Sequence, residues 1–253
     1  MNALQIGNRT VGRTPLVIGT IVRSETLHAL PAELGALACD VVEVRLDRVG
    51  VQRHDWLAGC EWIEQNRRPV LLTCRLAAEG GAWTAADAER APILGAALER
   101  LSAIDVEWSS DLAEDICQRA REKGKTVVVS YHDFDKTPSL ERLRDLVERI
   151  RGLPGAVIPK VAAMVSSQAD VGVLQALLAE SGPAPLCIIG MGALGTETRV
   201  SFAARGSCLT YGFLDAPSAP GQLSSADLVC NLRERSSEYN ARWRREGGQG
   251  APA

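Results

Sequence analysis

The sequence predicts a (β/α)8 barrel, the TIM-barrel architecture, on the basis of three observations. Eight apolar runs rich in β-branched residues recur at intervals of roughly 20 to 35 residues. Amphipathic helical patterns lie between these runs, and such alternation indicates a parallel sheet covered by helices. The chain has 253 residues, which is the length that eight strand–helix units usually occupy.

Each apolar run is predicted to form one strand of the barrel, because parallel strands buried on both faces are nearly continuous apolar stretches. In chain order the runs are PLVIGTIV (15–22), VVEVRLD (41–47), PVLLTCR (69–75), AIDVEW (103–108), TVVVSYHDF (126–134), AVIPKVAAM (156–164), LCIIGMG (186–192) and CLTYGFL (208–214).

Helical patterns fill the segments between the strands. The clearest are 25–40, 84–102, 110–124, 139–152 and a final stretch over 224–246. The leading LQIGNRTVGRT is typical of a small hairpin that closes the N-terminal end of the barrel. No composition break suggests a linker, so we expect one domain over 1–253, with the hairpin in 1–14 and a disordered tail over 245–253.

An open, doubly wound sheet is the alternative fold, since strand–helix alternation alone does not distinguish it from a barrel. One motif suggests a different function, that of a nicotinamide-dependent oxidoreductase. GMGALG (190–195) matches the G-x-G-x-x-G fingerprint of dinucleotide-binding proteins, follows a predicted strand, and has Asp215 20 residues after its last glycine. Fewer than 40 residues follow Asp215, too few to complete a dinucleotide-binding domain. This shortage counts against a nicotinamide-dependent oxidoreductase, which is kept as the second interpretation of the sequence.

Composition excludes several functional classes. The net charge of −3 and pI near 5.7 argue against nucleic-acid binding. No stretch approaches the ~18 apolar residues of a membrane span, and the N-terminus lacks the apolar segment of a signal peptide. The seven cysteines are scattered, without a C-x-x-C pair, so neither disulfides nor a zinc site is predicted, and a cytoplasmic location is expected.

One lysine stands out from its surroundings. The chain has four lysines, and Lys123, Lys125 and Lys136 lie in polar segments, whereas Lys160 lies within the apolar run AVIPKVAAM. Burying an unpaired ammonium is costly, so a lysine in such a place is either a residue at a strand edge or a functional group.

Polar residues close most of the predicted strands. In a barrel these ends meet at one mouth, where active sites of this fold lie. Glu43 and Arg45, two residues apart, point to the same side of their strand, and taken alone they could equally form a structural ion pair. The polar residues predicted to face this mouth are Thr20, Glu43, Arg45, Arg75, Glu79, His132, Lys160 and Arg199.

Several of these segments together resemble a known family. VEVRLD, TCRLAAEGG, SYHDFDKTP, PKVAAM, GMGALGTETR and SAPGQ occur in the order and spacing of type I 3-dehydroquinate dehydratases, over roughly residues 15 to 225. The resemblance implies a barrel enzyme, a homodimer, that dehydrates 3-dehydroquinate through a lysine Schiff base without metal or organic cofactor. A non-catalytic protein with the same barrel is a further alternative, but the matching lysine, histidine and glutamate are all present.

The resemblance also implies roles for individual residues. Lys160 would form the imine, His132 would act as general acid and base, and Glu79 would orient His132. Arg199 would bind the substrate carboxylate, and Ser218 and Gln222 would belong to a loop over the ligand. The remaining residues that the resemblance implies to line the pocket are Glu43, Arg45 and Arg75, and Thr20 is expected beside them from its place at the end of the first strand.

Overall fold

A computed structural model describes residues 3–12, 14–29, 37–52, 55–218 and 221–246 of the chain. Eight of its strands form one parallel sheet. In chain order they are β3 (Leu16–Ile21), β4 (Val41–Arg45), β5 (Val70–Thr73), β6 (Ala103–Glu107), β7 (Thr126–Asp133), β8 (Ala156–Met164), β9 (Cys187–Met191) and β10 (Leu209–Phe213). All eight predicted strands are thereby confirmed.

The order of the strands decides between the barrel and the open sheet. Each strand from β3 to β8 pairs with the next one, and β10 pairs in parallel with β3. The remaining gap between β9 and β10 is crossed by hydrogen bonds at their starts: the Cys208 amide donates to the Leu186 carbonyl over 2.9 Å, and the Ile188 amide donates to Ser207 Oγ over 2.9 Å. The sheet is a nearly closed TIM barrel, and the doubly wound alternative is wrong.

Helices surround the barrel. They are α1 (Ser24–Ala29), α2 (Leu46–Val49), α3 (Trp56–Gln65), α4 (Ala91–Arg100), α5 (Ala113–Glu122), α6 (Leu140–Arg151), α7 (Gln168–Glu180), α8 (Thr198–Ala204), α9 (Ser225–Arg235) and α10 (Ser237–Arg245). Serine hydroxyls cap several of them at the N-terminus, as Ser139 does for α6 and Ser167 for α7, where the first amides of a helix lack partners. Within the described ranges, no helix is long and apolar enough to cross a membrane.

The final helical stretch is two helices rather than the one predicted. Ser236 has an extended backbone, with φ −133° and ψ 107°, which ends α9. Its hydroxyl then accepts a hydrogen bond from the Tyr239 amide and caps α10. Arg245 and Glu246, predicted to begin the tail, are the last helical residue and the C-cap of α10, and the other tail residues, 247–253, lie outside the described residues.

The N-terminal hairpin occupies the position that the sequence predicts. Strands β1 (Gln5–Ile6) and β2 (Arg9–Thr10) pair antiparallel. Ile6 is fully buried against the first inward-facing residues of the barrel strands, which include Leu16, Val41 and Leu71. The N-terminal half of the barrel interior is therefore an apolar core.

The barrel interior changes character along the strands. Because successive residues of a strand alternate between the two faces, the residue two positions after each apolar inward residue also points inward. On β4 and β5 the apolar Val41 and Leu71 are followed by Glu43 and Thr73, and on β8 Ile158 is followed by Lys160. These residues are buried, so the C-terminal half of the interior is a polar layer beneath the mouth.

Candidate active site

All ten predicted site residues line a single pocket at the C-terminal ends of the strands. Its volume, including the open mouth, is about 590 Å³. Other side chains complete its wall, among them Phe134, Ala162, Ile189, Met191 and Tyr211. The predicted residues in this pocket are Thr20, Glu43, Arg45, Arg75, Glu79, His132, Lys160, Arg199, Ser218 and Gln222.

Lys160 points into the pocket from β8 and is 5% exposed. Its Nζ lies 3.0 Å from Oδ2 of Asp105 on β6 and 4.3 Å from the centre of the Tyr211 ring. Although Lys160 lies in an apolar run of the sequence, a buried carboxylate pairs with its amine. AIDVEW did contain the signal: Asp105 and Glu107 are inward charges at spacing two, like Glu43 and Arg45.

Asp105 belongs to a buried network of ion pairs. Its Oδ1 accepts hydrogen bonds from Arg75 Nη2 over 2.8 Å and from Ser130 Oγ over 2.7 Å. Arg75 also pairs with Glu107 over 3.1 Å, and Glu107 pairs with Arg90 over 2.7 Å. Burial by itself would raise the pKa of Asp105, but the cations Arg75 and Lys160 hold this pKa below its ordinary value.

His132 and Glu79 form a hydrogen-bonded pair. Nδ1 of His132 lies 2.8 Å from Glu79 Oε2, which also accepts the backbone N–H of His132 over 3.1 Å. Oε1 of Glu79 accepts from Ser109 Oγ over 2.6 Å. When Nδ1 carries the proton that Glu79 accepts, Nε2 keeps a lone pair and is the basic atom of the ring.

Burial favours the neutral form of both partners. It lowers the pKa of His132 well below the usual value, and the charges of Arg75, Lys160 and Arg45 act in the same direction. Burial also raises the pKa of Glu79 to about 7, although the hydrogen bond from Ser109 and the charge of Arg75 oppose the change. The imidazole is therefore uncharged near neutral pH and available as a base.

The turn after Glu79 depends on its two glycines. Gly80 adopts a left-handed conformation with φ +76°, which a side chain rarely tolerates. A side chain on Gly81 would collide with the backbone carbonyl of Arg75. The E-G-G turn thus brings Glu79 close enough to the barrel to reach His132.

Glu43 and Arg45 do not pair with each other. The two oxygens of Glu43 accept from Thr20 Oγ1 and Thr73 Oγ1, each over 2.7 Å. Arg45 instead makes a two-pronged contact with Asp47, over 3.0 and 2.9 Å. The structural ion pair that the sequence left open is absent, and each residue is held by a separate partner.

Arg199 is different from the other pocket arginines. It is 4% exposed, and its polar contact is from Nη1 to the Tyr211 carbonyl over 3.3 Å. Among the described residues no carboxylate lies within ion-pair distance of it, and its Nε has no hydrogen-bond partner. Burial consequently lowers the pKa of Arg199 to about 10. The pocket holds an unpaired cation suited to an anionic ligand.

Comparison with known proteins assigns this pocket to a family. A model described as type I 3-dehydroquinase matches residues 18–238. The chain belongs to the type I 3-dehydroquinase family. The 3-dehydroquinate dehydratase of Methanococcoides burtonii is 32% identical to it over 231 residues, which is 89% of this chain and 96% of that protein.

Solved structures agree with the assignment. The type I 3-dehydroquinate dehydratase of Clostridium difficile, solved with covalently modified comenic acid, superposes with a TM-score of 0.79 at 27% identity, covering 92% of this chain and 97% of that one. The 3-dehydroquinate dehydratase of Geobacillus kaustophilus gives a TM-score of 0.77 at 28% identity, covering 91% and 95% of the two chains. The family resemblance found in the motifs is confirmed.

The glycine-rich loop of this type I 3-dehydroquinase folds against itself. A side chain on Gly195 would collide with the backbone of Gly190, and Thr198 Oγ1 accepts the Gly190 amide over 3.0 Å. Asp215, which the nucleotide interpretation would assign to a ribose, accepts the amides of Val22 and Arg23. These glycines allow close backbone contact within the loop. The G-x-G-x-x-G match is therefore no longer evidence for the oxidoreductase interpretation.

The last predicted residues of the family pocket lie in the loop after β10. The amide of Ser218 donates to Gln222 Oε1 over 2.7 Å, and its hydroxyl donates over 3.1 Å. Gly221, which precedes Gln222, has a φ of +70° that residues with a side chain rarely adopt. No cluster of three histidine, cysteine, aspartate or glutamate side chains that could hold a metal occurs in the described part of the chain.

Proposed function

We propose that this protein is a 3-dehydroquinate dehydratase that converts 3-dehydroquinate to 3-dehydroshikimate and water. The observation that carries the proposal is the placement of a buried lysine and an uncharged histidine on the neighbouring strands β8 and β7. Ser130 and Lys160 are register partners, so His132 is paired with Ala162 and points inward one step nearer the mouth than Lys160. An amine and a base thus share one pocket.

Lys160 is proposed to form the covalent intermediate. Its amine adds to the ring ketone of the substrate, and loss of the ketone oxygen as water leaves an iminium ion. The iminium accepts the electron pair of the neighbouring C–H bond, which makes proton removal at that carbon possible. Pocket geometry supports this role, since Lys160 is the lysine that lines the site.

His132 is proposed to move the protons. Its neutral imidazole takes the proton from the carbon next to the iminium, and the resulting imidazolium gives a proton to the departing hydroxyl. Glu79 keeps Nδ1 protonated and fixes the ring orientation, as the third member of a catalytic triad does. The ring of Phe134 stacks on His132, with centres 6.3 Å apart, and limits its movement further.

The substrate carboxylate is proposed to bind Arg199. A planar guanidinium can give two parallel hydrogen bonds to a carboxylate, and this cation has no acidic partner among the described residues. Ser218 and Gln222 would complete the anion site from the loop after β10. Thr20, Glu43, Arg45 and Arg75 would face the hydroxyl-bearing side of the ring.

Borohydride trapping tests the proposal. Protein incubated with 3-dehydroquinate and borohydride should gain a stable mass on the peptide that contains Lys160, because the hydride converts the imine to a secondary amine. Lys160→Ala should abolish both the adduct and the appearance of the conjugated enone absorbance of the product. Lys136→Ala, which alters an exposed lysine of the β7 loop, is the matched control and should behave as the parent. An adduct on Lys136 or no enone with the parent protein would contradict the proposal.

We further propose that the chain works as one domain, as a homodimer in the cytoplasm, with no nucleic-acid or membrane partner. The barrel and its closing hairpin support the first point, because both belong to one continuous architecture. Light scattering after gel filtration should give twice the chain mass, and heating should give one cooperative unfolding transition. A monomer mass, or two separate transitions, would refute the corresponding point.

A further inference from the structure

We propose that Asp105 is the fixed counter-ion of Lys160, holding Nζ in place and balancing the positive charge that develops when the imine forms. This inference rests on the proposed function, because it concerns the same amine. It assigns a role to a residue on β6, a strand from which the sequence predicted no site residue.

The carboxylate of Asp105 is anchored through one oxygen and contacts Lys160 through the other. Oδ1 is occupied by Arg75 and Ser130, at 2.8 and 2.7 Å. Oδ2 faces Lys160 Nζ at 3.0 Å. The Asp105 side chain is fully buried, so a solvent molecule cannot readily replace it as the partner of the amine.

The anchor itself is held by further ion pairs. Arg75, which fixes Oδ1, is tied to Glu107, and Glu107 accepts hydrogen bonds from Arg90 and from the Leu76 amide over 2.7 and 2.9 Å. Arg90 is fully buried. Rotation of the Asp105 carboxylate would break several of these contacts at once, which makes it a rigid acceptor.

The chemistry gives this rigid anion a use at each stage. When the neutral amine adds to the ketone, the oxygen leaves as water, taking one hydrogen from the nitrogen and one proton supplied from the site. The nitrogen keeps one hydrogen and becomes a positive iminium, and that hydrogen can donate to Oδ2 as Nζ of Lys160 does before the reaction. Arg75 keeps Asp105 ionised, so its negative charge is present when the iminium forms, in a setting of low polarity where such pairing is strong.

Glu107 offers a matched control. It is also a buried, inward-facing carboxylate of β6 and a partner of Arg75, but it does not contact Lys160. Asp105→Asn and Glu107→Gln each remove one negative charge from the same network at almost constant volume. Comparing them separates a role at the amine from a general role in holding the network together.

The test measures kcat, KM and the rate of borohydride trapping for both variants. Asp105→Asn should lower kcat and the trapping rate about 10²-fold, with KM within a few-fold because the proposed carboxylate site at Arg199 is untouched. Glu107→Gln should lose less than about tenfold in the trapping rate. Equal losses in the two variants, or normal trapping in Asp105→Asn, would overturn the inference.

A second variant keeps the inference testable if Asp105→Asn does not fold, which circular dichroism would show. Ser130→Ala removes one hydrogen bond to Oδ1 without changing any charge, and should slow trapping several-fold at constant KM. Unchanged trapping in a folded Ser130→Ala protein would then overturn it. Failure of the parent protein to form any adduct would instead count against the proposed function, so the two failures are distinguishable.

Discussion

The two sides of the pocket treat their cations in opposite ways. On the side formed by β4 to β7, Arg45 and Arg75 each have a buried carboxylate partner, Asp47 for the first and Asp105 for the second. On the side formed by β8 to β10, Arg199 has none among the described residues, and Ile189, Met191 and Tyr211 line the same pocket. Lys160 joins the two sides, since it comes from β8 and reaches Asp105 on β6.

The difference is visible in the pKa shifts of Arg75 and Arg199, whose guanidinium groups are chemically identical. Burial disfavours the charge of both arginines, but the carboxylates of Asp105 and Glu107 raise the pKa of Arg75 above its ordinary value. Arg199 has no such partner among the residues that the structure describes, so burial lowers its pKa to about 10. A paired cation fixes its neighbours, whereas an unpaired buried cation is stabilised when an anion arrives from solution. Arg75 is therefore a charge that positions its neighbours, whereas Arg199 is a charge suited to binding an anion.

The largest effect is expected at His132, and it tests whether the side formed by β4 to β7, where the cations are paired, carries out the proton transfers. His132→Ala should lower kcat by about 10²–10⁴-fold, the usual loss for a general acid and base. The borohydride adduct on Lys160 should persist, because the amine does not depend on the imidazole. Turnover near the parent rate would place proton transfer on another group.

Breaking a positioning pair should affect stability. Arg90→Met removes a fully buried cation and breaks its ion pairs with Glu107 and Asp87, although Glu107 keeps its pair with Arg75. Such a loss costs about 3 kcal/mol of unfolding free energy, and Tm should fall by roughly 10 °C for a chain of this size. Arg205→Met, at an exposed arginine after α8, should leave Tm within about 1 °C. A normal Tm for Arg90→Met would mean that pairing on this side adds little to the fold.

Removing the binding charge should have the converse result. Arg199→Met should lower kcat/KM for 3-dehydroquinate about 10²-fold, mostly through KM, while Tm without ligand stays equal or rises, because an unpaired buried charge is lost. Arg199→Lys should lie between the parent and Arg199→Met, since an ammonium cannot make the two-pronged contact. A lower Tm in Arg199→Met with unchanged KM would abolish the distinction between the two sides.

The smallest expected effect concerns Glu79, a paired-side carboxylate that has histidine and serine partners and no direct guanidinium contact. Its pKa of about 7 in the folded protein lies above the unfolded value near 4.5, so its contribution to stability is complete below pH 4.5 and is lost as pH rises to about 7. Glu79→Gln is neutral throughout and should gain on the parent by about 2 kcal/mol between pH 5 and 8. Urea unfolding at both pH values measures this difference, and a constant difference would show that burial does not govern this carboxylate.

Much of the molecule follows from local sequence. The eight strands, the hairpin and the inward direction of Glu43, Lys160 and His132 were predictable, because side chains alternate with a period of two along a strand and turn residues interrupt the apolar runs. Motif spacing also identified the family. The motif segments lie at the mouth of the barrel, so their order along the chain follows the order of the strands. The break at Ser236 was missed, because the helical pattern continues across it.

The tertiary structure decided which charged side chains pair with each other. Lys160 and Asp105 are 55 positions apart, and neither sequence segment indicates that the other one supplies its ion-pair partner. Glu43 and Arg45 form an obvious pair in the sequence, yet the fold gives them different partners. That Arg199 has no carboxylate within ion-pair distance in the described part of the chain is likewise decided by the strands that meet around it. Sequence determines the face on which a charge lies, because that depends on local backbone geometry, whereas its neighbour depends on which strands the closed barrel brings together.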